Sequence, residues 1–252
     1  SGSSRFGAYA QRFDEVGNKV GGELHVNTTT AGLQGYPTVA MDDTGDFVVA
    51  WYSSIESGGD DYGVYAQRYS AAGATQGGEF RVNTTTAGRQ RTPTVAMDAV
   101  GDFVVTWSSY NQDGSGSGVY GQRYNAAGEP RGGELPIHTF TTGNQNTSAV
   151  AMNSVGDFVV TWQSAGQDEP SDVANSGVFS QFYYADGTTF GPEFQVNTHI
   201  ADSQSLPSVA MNSVGQFVIA WTSAGQDGSG LGVYAQRFTT TMENVVTPTH
   251  HD

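Results

Sequence analysis

Gly101-Asp102-Phe103-Val104-Val105-Thr106-Trp107 is the stretch on which the fold turns. From Phe103 to Trp107 only Thr106 is polar, so an extended chain here is apolar on both faces, the pattern of a strand covered on both sides. The stretch returns as GDFVVAW at 45–51, GDFVVTW at 156–162 and GQFVIAW at 215–221, closing on Trp51, Trp107, Trp162 and Trp221 at spacings of 56, 55 and 59 residues. A fixed period of this length is the mark of a repeat architecture.

Three more segments keep the same register. AYAQRF, VYAQRY, VYGQRY, VFSQFY and VYAQRF place glutamines at 11, 67, 122, 181 and 236. GGELHVNT, GGEFRVNT, GGELPIHT and GPEFQVNT follow them, and PTVAMD, PTVAMD, SAVAMN and PSVAMN precede the tryptophan strands. Each unit thus offers four short β runs divided by turn signals. Asp42 to Gly45, Asp98 to Gly101, Asn153 to Gly156 and Asn212 to Gly215 read as tight hairpins. In each, the leading side chain caps the turn and the glycine takes the positive φ.

Four strands in about 55 residues, the inner ones buried on both faces, describe a propeller blade. The expected fold is all-β: a small propeller of four blades, each of four antiparallel strands. The N-terminal AYAQRF and GGELHVNT strands would close the ring by pairing with the last blade, which removes exposed edges. A five-unit or incomplete ring is the alternative. Residues 1–5 read as an added or flexible start, 6–238 as one propeller and 239–252 as a polar tail.

Composition narrows the function classes. The 252 residues carry 25 acidic and 10 basic side chains, a formal net charge of −15. Nucleic acid and anionic lipid are repelled by such a surface, because their binding rests on Lys and Arg. No cysteine is present, which excludes disulfides, thiolate zinc sites and cysteine nucleophiles. No run approaches the ~20 apolar residues needed to span a bilayer.

GDFVVTW at 101–107, QDGSGSGVYGQRY at 112–124, GGEFRVNT at 77–84 and PTVAMD at 93–98 resemble the tandem β-propeller-type repeats of giant secreted and surface-anchored bacterial proteins, often found beside RTX-type calcium repeats or cadherin-like modules. That resemblance covers residues 6–238 and implies an extracellular or cell-surface location. The third copy departs from it, with Phe182 in place of the arginine and an insertion at 169–175.

Two sets of side chains stand out. Asp113, Asp168 and Asp227 recur in Gln-Asp-Gly loops, with Asp60 and Asp61 in the shifted first copy and Asp172 added in the third. Calcium takes six to eight oxygens, and glycine-rich loops let carbonyls converge with such carboxylates; the competing reading is a solvated turn whose Asp bonds local amides. Gln67 and Arg68, Gln122 and Arg123, and Gln236 and Arg237 form a repeated row that could grip a carboxylate or stack on a sugar. Alternatively, the arginines pair with Glu79 or Glu134.

The tryptophans fit a core better than a sugar platform, and the five histidines fall at different repeat positions. Nearly every carboxylate belongs to a repeat, and no Walker loop, HExxH or GxSxG occurs, so the expected protein is not an enzyme. It is a non-catalytic extracellular binding or adhesion module for a glycan or another surface protein, with calcium-stabilised loops. The alternative is a structural spacer that forms homo-oligomers by exchanging its surplus terminal strand.

Overall fold

The recurring strand segments pair with their neighbours in chain order. The computed structural model describes residues 6–54, 62–168, 174–240 and 246–249, and all its regular elements are strands. The first complete sheet joins β3 (Gln34–Met41), β4 (Phe47–Ser53), β5 (Gly63–Tyr69) and β6 (Phe80–Arg81). β7 (Gln90–Met97), β8 (Phe103–Tyr110), β9 (Ser117–Tyr124) and β10 (Leu135–Pro136) form the second. The third holds β11 (Gln145–Met152), β12 (Phe158–Ala165), β13 (Ser176–Tyr183) and β14 (Thr189–Gln195). The fourth holds β15 (Gln204–Met211), β16 (Phe217–Ala224), β17 (Leu231–Thr240) and β18 (Val246–Thr249). Every pairing within them is antiparallel.

The hairpins form as expected. Asp42 Oδ1 accepts the Thr44 and Asp46 N–H groups at 2.8 and 3.0 Å. Gly45 and Gly101 turn the chain at φ 90° and 94°, a region glycine enters without steric cost.

The sheets pack face to face through their apolar surfaces. Val48, Ala50, Val64 and Ala66 of the first sheet meet Val95, Phe103, Val105 and Trp107 of the second. The second meets the third through Val104, Val119, Phe158 and Trp162, and the third meets the fourth through Val159, Val178, Phe217 and Trp221. Trp51, Trp107 and Trp162 are fully buried; each such side chain stabilises the stack by about 2–3 kcal/mol. Face-to-face four-stranded sheets in series are the blades of a propeller.

The chain ends are arranged differently from the expected closure. β1 (Tyr9–Phe13) and β2 (Lys19–His25) pair with each other as a separate two-stranded sheet. They pack on the first complete sheet, where Ala8 and Val26 cover Phe47, Val49 and Trp51. The fourth sheet takes its outer strand from the C-terminal segment instead: Phe238 lies opposite Pro248 and Thr240 opposite Val246. Part of the segment read as a polar tail is therefore a strand, and among the described residues no N-terminal strand joins the last sheet.

Candidate functional site

The repeated polar side chains hold the sheets to one another. Gln67 Nε2 donates to the Arg68 and Gly77 carbonyls at 2.9 and 3.2 Å. Gln122 does the same with Arg123 and Gly132, at 3.0 and 3.2 Å. Arg12 and Arg123 reach across to the next sheet and donate to the Ala71 and Ala185 carbonyls at 2.6 and 2.7 Å; Arg68 reaches Ala127 at 2.5 Å. Gln236 bonds the Arg237 carbonyl at 3.1 Å.

The expected Arg–Glu pairs are not what these arginines make. Glu79 accepts instead from Thr28 N and Oγ1 of the preceding pair of strands, Glu134 from Thr84 and Thr85, and Glu193 from Thr139. The arginines and glutamates thus tie neighbouring sheets from opposite sides. Phe182, which replaces the arginine in the third copy, packs on Phe217 at 6.0 Å between ring centroids.

The loop carboxylates fold back on the strands that follow them. Asp113 and Asp227 accept from Ser115 N and Ser229 N through Oδ1 at 3.1 and 3.2 Å. The Oδ2 atoms of Asp113, Asp168 and Asp227 lie against Gly118, Gly177 and Gly232, where a β-carbon would approach them at 3.0, 2.5 and 3.2 Å. Among the described residues, no three His, Asp or Glu side chains gather as a metal-holding group; Asp60, Asp61 and Asp172 lie outside the described residues.

Asp113 faces His138, with Nε2 3.7 Å from Oδ2 and both side chains buried. Burial holds the His138 pKa below its ordinary value, although Asp113 and Glu193 pull the other way. His138 stands where Asn27, Asn83 and Asn197 stand in the other copies.

A group absent from the repeat pattern lies at the start of the inner strands. Each inner strand carries a bulge between Gly35/Thr38, Arg91/Thr94, Asn146/Ala149 or Ser205/Ser208. The residue inside it is left-handed without being glycine: Tyr36, Thr92, Thr147 and Leu206 sit at φ 50°, 48°, 54° and 53°. Such conformations cost about 1–3 kcal/mol each and gather at working sites.

In the first sheet this bulge delivers an aromatic cluster. The Tyr36 ring, 66% exposed, lies 5.7 Å from Tyr52, and Tyr62 meets Tyr52 edge-on at 5.2 Å. Arg91, from the bulge of the next sheet, places Cζ 4.1 Å over the Tyr62 ring. Its Nε is buried without a hydrogen-bond partner.

Backbone features hold these rings in place. Gln90 N donates to the Tyr62 carbonyl at 3.0 Å, pinning Tyr62 to the second sheet. Gly35 makes room for the Tyr52 ring, which a β-carbon there would meet at 2.8 Å. Burial, then the neighbouring Tyr62, raises the Tyr52 pKa against the pull of Arg91, so its hydroxyl stays protonated and able to donate.

The equivalents of Tyr36, Tyr52 and Tyr62 are Thr92, Ser108 and Ser117 in the second unit, then Thr147, Gln163 and Ser176, then Leu206, Thr222 and Leu231. Reading for what repeats passes over such positions; lining up the copies and asking where the first alone is aromatic would have found all three tyrosines.

No protein-family model and no curated protein matches the chain. Its fold is similar to that of an endo-arabinase from Bacteroides thetaiotaomicron VPI-5482, at 14% identity and a TM-score of 0.51 over 93% of this chain and 82% of the other. It is also similar to a protein of unknown function from Dyadobacter fermentans DSM 18053, at 13% identity and a TM-score of 0.57, covering 81% and 65%. The first likeness corrects two expectations. A non-catalytic adhesion module or spacer, and a chain that is not an enzyme, were inferred from repetition and missing motifs; an endo-arabinase built on this fold shows that the architecture also carries enzymes.

Proposed function

We propose that the protein is a carbohydrate-active protein of the glycoside-hydrolase type, with a sugar chain lying against Tyr36, Tyr52, Tyr62 and Arg91. The observation that carries this reading is the cluster itself: three tyrosines of the first unit and an arginine of the second, at positions where the other described units have no such residues. Aromatic faces take the apolar face of a sugar ring, while phenol hydroxyls and a guanidinium bond its hydroxyls. The Arg91 guanidinium, held over the Tyr62 ring, sets charged N–H donors beside the aromatic faces. The fold shared with an endo-arabinase supports the substrate class. Hydrolysis would need two carboxyl groups about 5–5.5 Å or ~6.5–9.5 Å apart, and the cluster is assigned to holding the chain rather than to cleaving it.

Titration with arabino-oligosaccharides by calorimetry, alongside a reducing-end assay on arabinan, tests the proposal. Saturable binding is expected, weakened about tenfold (roughly 1.4 kcal/mol) in Tyr52→Ala and in Arg91→Met. Absence of binding and of cleavage, or binding untouched by both substitutions, rejects it.

A further inference from the structure

The groove beside β1 is the place where a blade is half built. β1 and β2 correspond in sequence to the third and fourth strands of a complete sheet, AYAQRF to VYAQRY and GGELHVNT to GGEFRVNT. In each complete sheet the third strand is bonded on both sides, as β5 is to β4 and β6. Among the described residues, β1 is bonded to β2 alone in its two-stranded sheet. Along its other side runs a cavity of about 630 Å³ whose lining includes Tyr9, Phe13, Val39, Met41, Phe47 and Val49.

The surface of this groove is an inter-sheet face without its cover. Val95, the counterpart of Val39, is 8% exposed, and Met97, the counterpart of Met41, packs against the same cluster; Val39 and Met41 are 62% and 64% exposed. What covers Val95 and Met97 is the inner hairpin of the preceding sheet, through Ala40, Val48 and Ala50. The groove is also continuous with an interface that is already formed, since Phe47 and Val49 pack at its floor against Ala8 and Val26.

Charge agrees with this occupant. In the first sheet the hairpin residue Asp46 accepts from Ala71 N and Gln76 Nε2 at 2.8 and 2.7 Å, and while burial lowers the Arg68 pKa, the Asp46 charge opposes that shift and favours the cation. Arg12 holds the place of Arg68 in β1 and lines the groove.

We propose that this groove accepts a β-hairpin of the repeat's own inner type, Pro-x-Val-Ala-Met followed by Phe-Val-Val-x-Trp, which pairs with β1 and completes its sheet. Pairing of β4 with β5 sets the register: Phe47 lies opposite Tyr69, Val48 opposite Arg68 and Trp51 opposite Tyr65. The incoming hairpin then sets its phenylalanine opposite Phe13, its first valine opposite Arg12 and its tryptophan opposite Tyr9. Main-chain bonds along the strand edge supply affinity, and the alternate side chains filling the groove supply specificity.

The probe is a synthetic peptide with the sequence of residues 92–109, added to the intact protein. Binding is read by fluorescence anisotropy and by hydrogen exchange of the Tyr9–Phe13 amides. The expected result is preference over a scrambled peptide by at least about tenfold, slowed exchange at β1, and loss of both in Met41→Glu. Hydrogen exchange on the unsubstituted protein decides the matter should that variant misfold. Equal binding of the scrambled peptide overturns the proposal. So does binding without protection of β1, or self-association of the protein that covers Val39 and Met41 and excludes the peptide.

Discussion

Replacing His138 by Asn restores the residue found at the same place in the other units, and its effect follows from what those asparagines do. Asn27, Asn83 and Asn197 each accept a backbone N–H through Oδ1 at 2.7 Å, from Ala8, Val64 and Val178. Each Nδ2 donates to the carbonyl two residues on, at 2.8, 2.7 and 2.9 Å. At His138 both ring nitrogens are buried without a hydrogen bond of good geometry, as is Asp113 Oδ2; the Phe140 backbone and Asp113 offer only loose contacts.

Two bonds regained, at about 1 kcal/mol each, and relief of buried unsatisfied atoms at ~1–3 kcal/mol oppose loss of the edge contact between His138 and Tyr120, about 1 kcal/mol. A net gain of about 2 kcal/mol remains, or ~4–8 °C in Tm for a chain of this size. Acid should widen the gap. Burial lowers the His138 pKa in the folded protein, so below about 6.5 the unfolded chain takes up a proton that the folded one resists, and stability falls as pH drops toward the lowered value. His138→Asn lacks that loss. Calorimetric scans at pH 7.5 and 5.5 measure both effects; a lower Tm in the variant, or a difference that does not grow in acid, refutes the reasoning.

Two further outcomes follow. In Glu134, burial pushes the pKa up, but bonds from Thr84, Gln112 and Thr85 together hold it below the ordinary value. Glu134→Gln should therefore cost about 1 kcal/mol at neutral pH, after allowing for solvent screening, and the difference should vanish as pH falls through the folded pKa; urea titrations at pH 7 and pH 3.5 check it, and a constant difference would count against it. Leu206 is exposed and left-handed at φ 53°. Asn tolerates that region, so Leu206→Asn should raise the urea midpoint by the equivalent of ~0.5–1 kcal/mol, and an unchanged or lower midpoint would show that the bulge stores no strain there.

The strands and their order within each sheet were legible because the apolar runs and hairpin signals recur four times. Closure was not. β18 has no counterpart in the repeat, since Val246-Thr247-Pro248-Thr249 shares nothing with GGEFRVNT, and pairing with β17 depends on proximity rather than on any local signal. The Arg–Glu expectation rested on adjacent strands within one sheet, whereas Arg123 crosses to the turn of the next sheet and Glu134 to the loop of the previous one. His138 was visible as IHT among VNT copies, but its meaning required knowing that the slot is buried and bonded to a backbone amide. The tyrosine cluster was hidden for a further reason: Arg91 belongs to a different unit from the rings it meets.

Repetition itself explains why function should be sought where the copies disagree. A polar side chain kept in every unit is obliged to meet the same neighbours each time, and here those neighbours consume it: Gln67 and Gln122 clamp the outer strand, Arg12 and Arg123 bond the next turn, Glu79 and Glu193 bond the preceding loop. These side chains are already engaged in holding the stack, so a ligand binding there would have to displace contacts between the sheets. Copy-specific residues carry no such duty. Tyr36, Tyr52 and Arg91 could change without loosening any repeated tie, and they are the ones that bring aromatic surface and a guanidinium together. The repeats build a stack of like sheets, and the departure at Tyr36, Tyr52, Tyr62 and Arg91 makes one junction of it unlike the others, the asymmetry that the proposed sugar site would require.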